Sequence, residues 1–301
     1  MTIIKAWIIS MRLRTLPLSL STILTGSVIA YAQKSFNGEI LIWAALTTLF
    51  LQILSNLAND YGDAKTGADN ENRVGPKRMI QQGTISLSAM KKAMALFALL
   101  SLVAGLALIV KAFETAPLLK LLFLITGIAA IAAAIKYTAG KNPYGYRGLG
   151  DLFVFLFFGV IGVAGTWFLH TNIWQWEILL PATTIGLFST GVLNINNIRD
   201  IESDKLSGKK TIVVRMGKRA SKWYHAALIA GGWLSITIYI ILFNAIYLWP
   251  VVVTLPLFII NVSTLFTTNS SDRIDSQLRF LSISTLLFVL SATAGALFLT
   301  Q

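Results

Sequence analysis

Apolar residues in this chain collect in long blocks separated by polar links. A helix needs about 20 mostly apolar residues to cross the hydrocarbon core of a bilayer. Nine such blocks are read, at 16–32, 39–59, 92–111, 117–137, 149–169, 177–197, 222–243, 246–267 and 278–299. The first, second and sixth carry many small or polar residues. Two links are long and polar, 60–91 and 198–221, and each follows an even-numbered block. The expected fold is all-α, a polytopic membrane protein forming one integral-membrane domain over residues 1–301. The opening MTIIKAWIISMRLRTLPLSL has no clear small-residue cleavage site before the first long block, so it is read as mature protein and not as a removed signal.

Composition agrees with this pattern. The chain is 55% hydrophobic and 13% charged, with a mean hydropathy of +0.70, whereas a soluble domain is nearer about a quarter charged. The absence of cysteine excludes disulfides, thiol catalysis, Fe–S clusters and cysteine zinc sites. The net charge of +12 could suit nucleic acid, but no basic stretch carries a nucleic-acid motif, and no such partner is expected. Topology explains it better. All but Lys34, Lys111 and Lys120 of the 25 Lys and Arg fall at the N-terminus or after the second, fourth, sixth and eighth blocks. That asymmetry predicts a cytoplasmic N-terminus, both long links on the cytoplasmic side, and a C-terminus on the opposite side of the membrane.

The acids are less evenly spread. Of 13, seven lie in or beside NLANDYGDAKTGAD (56–69) and NINNIRDIESD (194–204): Asp60, Asp63, Asp69, Glu71, Asp200, Glu202 and Asp204. Asn59-x-x-x-Asp63 and Asn196-x-x-x-Asp200 share spacing and topological position, which predicts two related four-helix halves plus a ninth helix. Asp200 and Asp204 are four apart, and Asn196 lies one turn earlier, so all three share a face if the helix continues. Like charges at that spacing repel, more so near apolar surroundings. A divalent cation relieves both problems. Amide and carboxylate oxygens are hard ligands that suit Mg²⁺, which prefers to share its shell with water and substrate phosphates. Two such clusters predict two Mg²⁺ ions holding one diphosphate. Basic residues stand beside them: Arg73, Lys77 and Arg78 after the first, Arg199, Lys209 and Lys210 around the second, and Lys141 and Arg147 in the link KNPYGYRGLGD. Arg can clamp a phosphate bidentately and Lys adds a point charge, although positive-inside topology alone also places such residues. Gly159, Gly162 and Gly165 are expected to permit close helix packing. His170 and His225 form no pair and suggest no metal site.

The stretches NLANDYGDAKTGADNENRVGPKRMIQQG and NINNIRDIESDKLSGKKTIVVRMG resemble the two aspartate-rich motifs of the UbiA-type intramembrane prenyltransferases. LSNLANDYGD, NRVGP, PYGYRGLGD and LNINN-x-RD look most like the branch that prenylates 1,4-dihydroxy-2-naphthoate in menaquinone biosynthesis. The likeness runs over about residues 5–225. Many members carry a third acid four residues beyond Asp63; here that position is Gly67 and the acid is Asp69. The resemblance implies nine transmembrane helices around a central cavity open to the cytoplasm and to lipid, in a bacterial inner membrane. It implies Asn59, Asp63, Asp200 and Asp204 as Mg²⁺-site and catalytic residues, with Asp69 and Asn196 as further ligands. It also implies Tyr137, Lys141, Tyr146 and Arg147 near the diphosphate and the reacting carbon. The expected reaction joins a polyprenyl group from polyprenyl diphosphate to the naphthoate, with loss of CO₂ and diphosphate. Other readings are prenyl transfer to a different aromatic acceptor, such as 4-hydroxybenzoate, or a divalent-cation transporter, which would need acids near mid-membrane.

Overall fold

The computed structural model describes residues 2–66, 78–140 and 142–299. Among them, nine helices are long and apolar enough to cross a membrane: Ile3–Ala32, Gly38–Lys65, Leu87–Ala112, Pro117–Lys136, Gly150–Thr171, Trp176–Arg199, Lys218–Leu242, Ile246–Thr267 and Ser271–Leu299. They match the nine blocks in order and are called spans one to nine. The described residues contain no strand. The chain is thus an all-helical, multi-pass membrane protein.

Three departures from the simple apolar blocks shape the interior. Span one is two helices, Ile3–Met11 and Leu16–Ala32, broken at Arg12. Arg12 adopts the left-handed region (φ 50°), uncommon for any residue but glycine. Spans two and nine run well past their apolar blocks into polar sequence, to Lys65 and back to Ser271. Span five is π-helical over Phe155–Gly165. This widened winding is frequent at functional sites. Two of its glycines make close packing possible: a Cβ on Gly159 would lie 2.6 Å from the Ala182 carbonyl oxygen, and one on Gly162 would lie 2.9 Å from Thr22 Cβ. Gly165 is different, having no atom within 4 Å of such a Cβ and facing the interior cavity.

Spans two, three and four pack together, and span one lies against spans two and five. Span six packs on spans five and seven, while span nine lies against spans one, six and eight. In the second half an aromatic cluster fills the core, where Phe188 stands 4.5 Å from Phe258 and 5.6 Å from Phe288, ring centre to ring centre. The two histidines are interhelical staples: His170 Nε2 bonds Ser27 at 2.9 Å and His225 Nε2 bonds Asn261 at 2.9 Å. No residue in span four's apolar window is buried. It meets span five through Phe123 stacked on Phe168 at 5.8 Å. Near its other end, the Tyr144 hydroxyl donates to the Ala133 carbonyl at 2.9 Å.

A cavity of about 370 Å³ lies among spans one to six, with Leu278 of span nine also in its wall. Most of its wall is apolar, including Ile23, Ala44, Leu108, Ile109, Phe157 and Leu169. Its mouth is bordered by Asn59, Tyr137, Tyr144 and Asn196.

Candidate active site

Span two delivers the first acidic motif. Because the helix continues to the end of the polar extension, Asn59, Asp60 and Asp63 occupy its last turns. Their seat is the turn just past span four: the Thr138 hydroxyl donates to Asn59 Oδ1 at 2.9 Å and contacts the Ala58 carbonyl at 3.1 Å. Gly62 makes this seam possible, since a Cβ there would lie 2.5 Å from the Thr138 carbonyl oxygen. Asp60 and Asp63 are both buried. Arg78 answers that burial, donating to Asp63 Oδ2 at 2.6 Å and to the Asn59 carbonyl at 2.6 Å, and lying 3.3 Å from Asp60 Oδ1. Arg12 donates to Asp60 Oδ1 at 2.6 Å. The Tyr146 hydroxyl donates to Asp63 Oδ1.

Span six delivers the second motif. The α-helix ends at Arg199, and a short helix, Ile201–Leu206, follows Asp200. The Asp204 amide still bonds the Asp200 carbonyl at 2.8 Å, so the two acids remain one turn apart. Arg199 grips Asp200 with two parallel bonds, Nε to Oδ1 at 2.7 Å and Nη2 to Oδ2 at 2.6 Å. Nη2 also donates to Asn196 Oδ1 at 2.8 Å, and Nη1 donates to Asp275 of span nine. Asp275 is held from its other side by Arg14 at 3.0 Å. Asp204 is buried, which pushes its carboxyl above the usual carboxylate range; the neighbouring Lys209 opposes that shift.

Lys209 joins the motifs. Its Nζ is 3.2 Å from Asp204 Oδ1 and 3.5 Å from Asp63 Oδ1, and it lies over the Tyr146 ring at 4.7 Å. One cation therefore already sits between acids from the two halves. The link Tyr144–Arg147 closes over this point. The Lys210 amide donates to the Tyr146 carbonyl at 2.8 Å, and Arg215 donates to the Arg147 carbonyl at 2.8 Å. Gly148 turns the chain at φ 84°, with the Lys210 carbonyl oxygen only 2.7 Å from where its Cβ would be. Toward the cavity the same link starts an aromatic wall. Tyr144 meets Tyr137 edge-on at 5.3 Å and stacks on Phe153 at 4.1 Å, and Phe157 follows at 6.1 Å. Burial raises the Tyr137 and Tyr144 hydroxyls well above the ordinary tyrosine range, so both are neutral donors.

The sequence candidates thus fall into four groups. Asn59, Tyr137 and Asn196 line the cavity, and next to them Asp63, Arg78, Tyr146, Lys209 and Asp204 form one connected cluster, with Asp200 one turn before Asp204. Arg199 is buried against Asp200 and Asp275, where it holds a carboxylate in place. Arg147 and Lys210 are exposed and meet the site through backbone groups. Asp69, Arg73, Lys77 and Lys141 lie outside the described residues. Among the described residues, no three His, Asp or Glu side chains stand together as a ready metal cage. The donors gathered here are hard amide and carboxylate oxygens, the type that shares Mg²⁺ with waters and phosphate. Sequence reasoning missed Arg12, Asp275 and the span-two amides Gln52 and Asn56. Their only local signal was a basic residue before the first block, which topology also explains.

Comparisons with known proteins agree with this architecture. Residues 19–294 match the UbiA prenyltransferase family. A 1,4-dihydroxy-2-naphthoate octaprenyltransferase from Escherichia coli K12 is 45% identical over 246 residues, 81% of this chain and 79% of that protein. One of the same name from Haemophilus influenzae is 46% identical over 229 residues, 75% of this chain and 74% of that protein. A UbiA homologue from Aeropyrum pernix K1, solved without ligand, has the same fold at a TM-score of 0.71 and 18% identity, over 95% of this chain and 98% of that one. Another, from Archaeoglobus fulgidus and solved with GPP and Mg²⁺, aligns with a TM-score of 0.61 at 16% identity, over 97% and 99% of the two chains. With its nine spans, paired Asn/Asp motifs and a family match over nearly its whole length, the chain belongs to the UbiA prenyltransferase family.

Proposed function

We propose that this protein transfers a polyprenyl group from polyprenyl diphosphate to 1,4-dihydroxy-2-naphthoate, releasing CO₂ and diphosphate and forming demethylmenaquinol. The observation that carries the reading is the meeting of the two Asn/Asp motifs, across Lys209, at the mouth of an apolar cavity. The naphthoate-transferase relatives, similar over three quarters of the chain, support the choice of acceptor. The site and N-terminus face the cytoplasm in a bacterial inner membrane, in keeping with the Lys and Arg distribution.

Asn59, Asp63, Asp200 and Asp204, with Asn196 and Asp69 as further oxygens, would hold Mg²⁺, and the two motifs suit two ions. Bound Mg²⁺ supplies positive charge against the leaving diphosphate. Arg78, Lys209 and Tyr146 orient the same diphosphate from the protein side, joined by Arg73, Lys77 and Lys141. As the allylic C–O bond breaks, its electron pair leaves with the diphosphate. The ring wall of Tyr137, Tyr144 and Phe153 faces the developing cation, which aromatic faces stabilise. The naphthoate carbon bearing the carboxylate donates an electron pair to the allylic carbon. The C–CO₂ bond then breaks, its pair returns to the ring, and aromaticity is restored. The apolar cavity keeps water from the cation.

The test is a product assay with purified protein, a polyprenyl diphosphate and dihydroxynaphthoate, following quinol and CO₂ with and without Mg²⁺. Turnover should need Mg²⁺, and Asp63→Ala or Asp200→Ala should lower it by about 10²-fold or more. Full activity in both variants, or no reaction with the naphthoate, overturns the proposal.

A further inference from the structure

The acceptor carries a carboxylate, and the proposed function requires it to react inside a mostly apolar cavity beside the acid motifs. A carboxylate brought into such surroundings needs a countercharge and donors. Among the described residues, Arg12 is the single charged side chain lining the cavity. It stands at the break of span one, where it caps the first helix in the left-handed region. The break also frees the Met11 carbonyl, which accepts from Asn56 Nδ2 at 2.9 Å. Asn56 Nδ2 also reaches Thr15 Oγ1 at 3.1 Å, and Gln52 Nε2 reaches it at 3.2 Å. Ser19 donates to Gln52 Oε1 at 2.9 Å. Thr15, Ser19, Gln52 and Asn56 all line the cavity with Arg12. On span two they continue the face of Asn59 and Asp63, with Gln52 about 10 Å along the helix from Asn59. A polar strip therefore leads from the diphosphate site into the cavity along spans one and two, while the rings of Tyr144, Phe153 and Phe157 line it from span five and the link before it.

Resting on the proposed function, we infer that this strip is the acceptor subsite: Arg12 binds the naphthoate carboxylate, and the Gln52–Asn56 amides with Ser19 bind the ring hydroxyl beside it. The planar guanidinium fork matches a carboxylate bidentately. Asp60 orients Arg12 at 2.6 Å and is shared with Arg78 at 3.3 Å, while Arg78 makes its shorter contact, 2.6 Å, with Asp63. The flat ring then lies along the aromatic wall, with its carboxylate-bearing carbon turned toward the prenyl diphosphate.

The experiment compares two competitive inhibitors, 1-hydroxy-2-naphthoate and 1-naphthol, which differ only in the carboxylate, in wild type and Arg12→Met. Expected is a rise of roughly tenfold or more in the inhibition constant of the naphthoate, the size of a lost charge-assisted bond. The naphthol constant and the prenyl diphosphate KM should stay within about twofold. Arg12→Lys should recover part of the naphthoate loss. Equal losses for both inhibitors, or a change confined to prenyl diphosphate, overturn the assignment. Gln52→Leu leaves the Arg12–Asp60 pair in place and guards against a folding failure. It should weaken both inhibitors several-fold, and unchanged constants for both would refute the subsite. Wild type that turns over no naphthoate at all overturns the proposed function itself, a result distinct from each of these.

Discussion

Lys209→Met is the sharpest perturbation of the site. Lys209 occupies the position between Asp63 and Asp204, at 3.5 and 3.2 Å. At those distances each attraction is worth roughly 5 kcal/mol at an effective dielectric of about 20, and little more than about 1 kcal/mol in water. The ammonium is partly dehydrated and its side chain ordered, which offsets much of that gain. A net of about 1–2 kcal/mol remains, or roughly tenfold in binding. Removing the ammonium takes away the cation that Asp63 and Asp204 share, leaving Arg78 on Asp63, and vacates the place a divalent ion would take. The substrate-free protein should therefore bind Mn²⁺ or Mg²⁺ about tenfold more tightly, while the prenyl diphosphate KM rises by a similar factor. The assay is the melting temperature of detergent-purified protein titrated with either metal, since a ligand that binds only the folded state stabilises by mass action. Steady-state kinetics give the second number. An unchanged or weaker metal midpoint in Lys209→Met would refute the idea that this lysine and the metal compete for the same acids.

Two further outcomes follow from burial and packing. Burial raises Asp204's carboxyl, so the folded protein holds a proton there more tightly than the unfolded chain does; stability then falls as pH rises through that window and the full cost is present above it. Asp204→Asn should accordingly melt higher than wild type at pH 7, with the gap closing as pH falls into the ordinary carboxylate range, and yet show no turnover; a lower melting temperature at pH 7 would contradict this. Gly62→Ala would set a Cβ 2.5 Å from the Thr138 carbonyl oxygen, a backbone atom that cannot swing aside. It should cost about 1–3 kcal/mol and disturb Asn59 with it, whereas Gly105→Ala, whose nearest neighbour is Thr47 Cγ2 at 3.7 Å, should not lower the melting temperature.

The spans were legible because a bilayer imposes length and apolarity on every crossing helix, and nine runs met both demands. The two motifs were legible because acids and amides are costly near lipid and stand out against it. What the sequence hid depends on partners far apart in the chain. Arg12 meets Asp60 across 48 positions, and Arg199 meets Asp275 across 76. Read locally, Arg12 is one more topological cation and Asp275 a solvated acid in a short link. Arg199 illustrates the same limit, since spacing beside an acid motif suggested a phosphate ligand and the fold gives it a carboxylate to hold. The π-helical winding of span five was equally hidden, because hydropathy is indifferent to whether a turn closes on the fourth or the fifth residue. The polar strip of spans one and two lay inside apolar blocks, where Gln52 and Ser19 read only as weakness in the signal.

Asp275 has a consequence for biogenesis. It tethers Arg199, which bonds both carboxylate oxygens of Asp200, and it reaches Arg14 at the other end of the chain. The second acidic motif is therefore translated and inserted well before the residue that sets its geometry. Until span nine seats beside spans one and six, a nascent chain already carrying both motifs lacks the Asp275 contact that holds Arg199 from its far side. The geometry of the second motif is in this way tied to the docking of the last span.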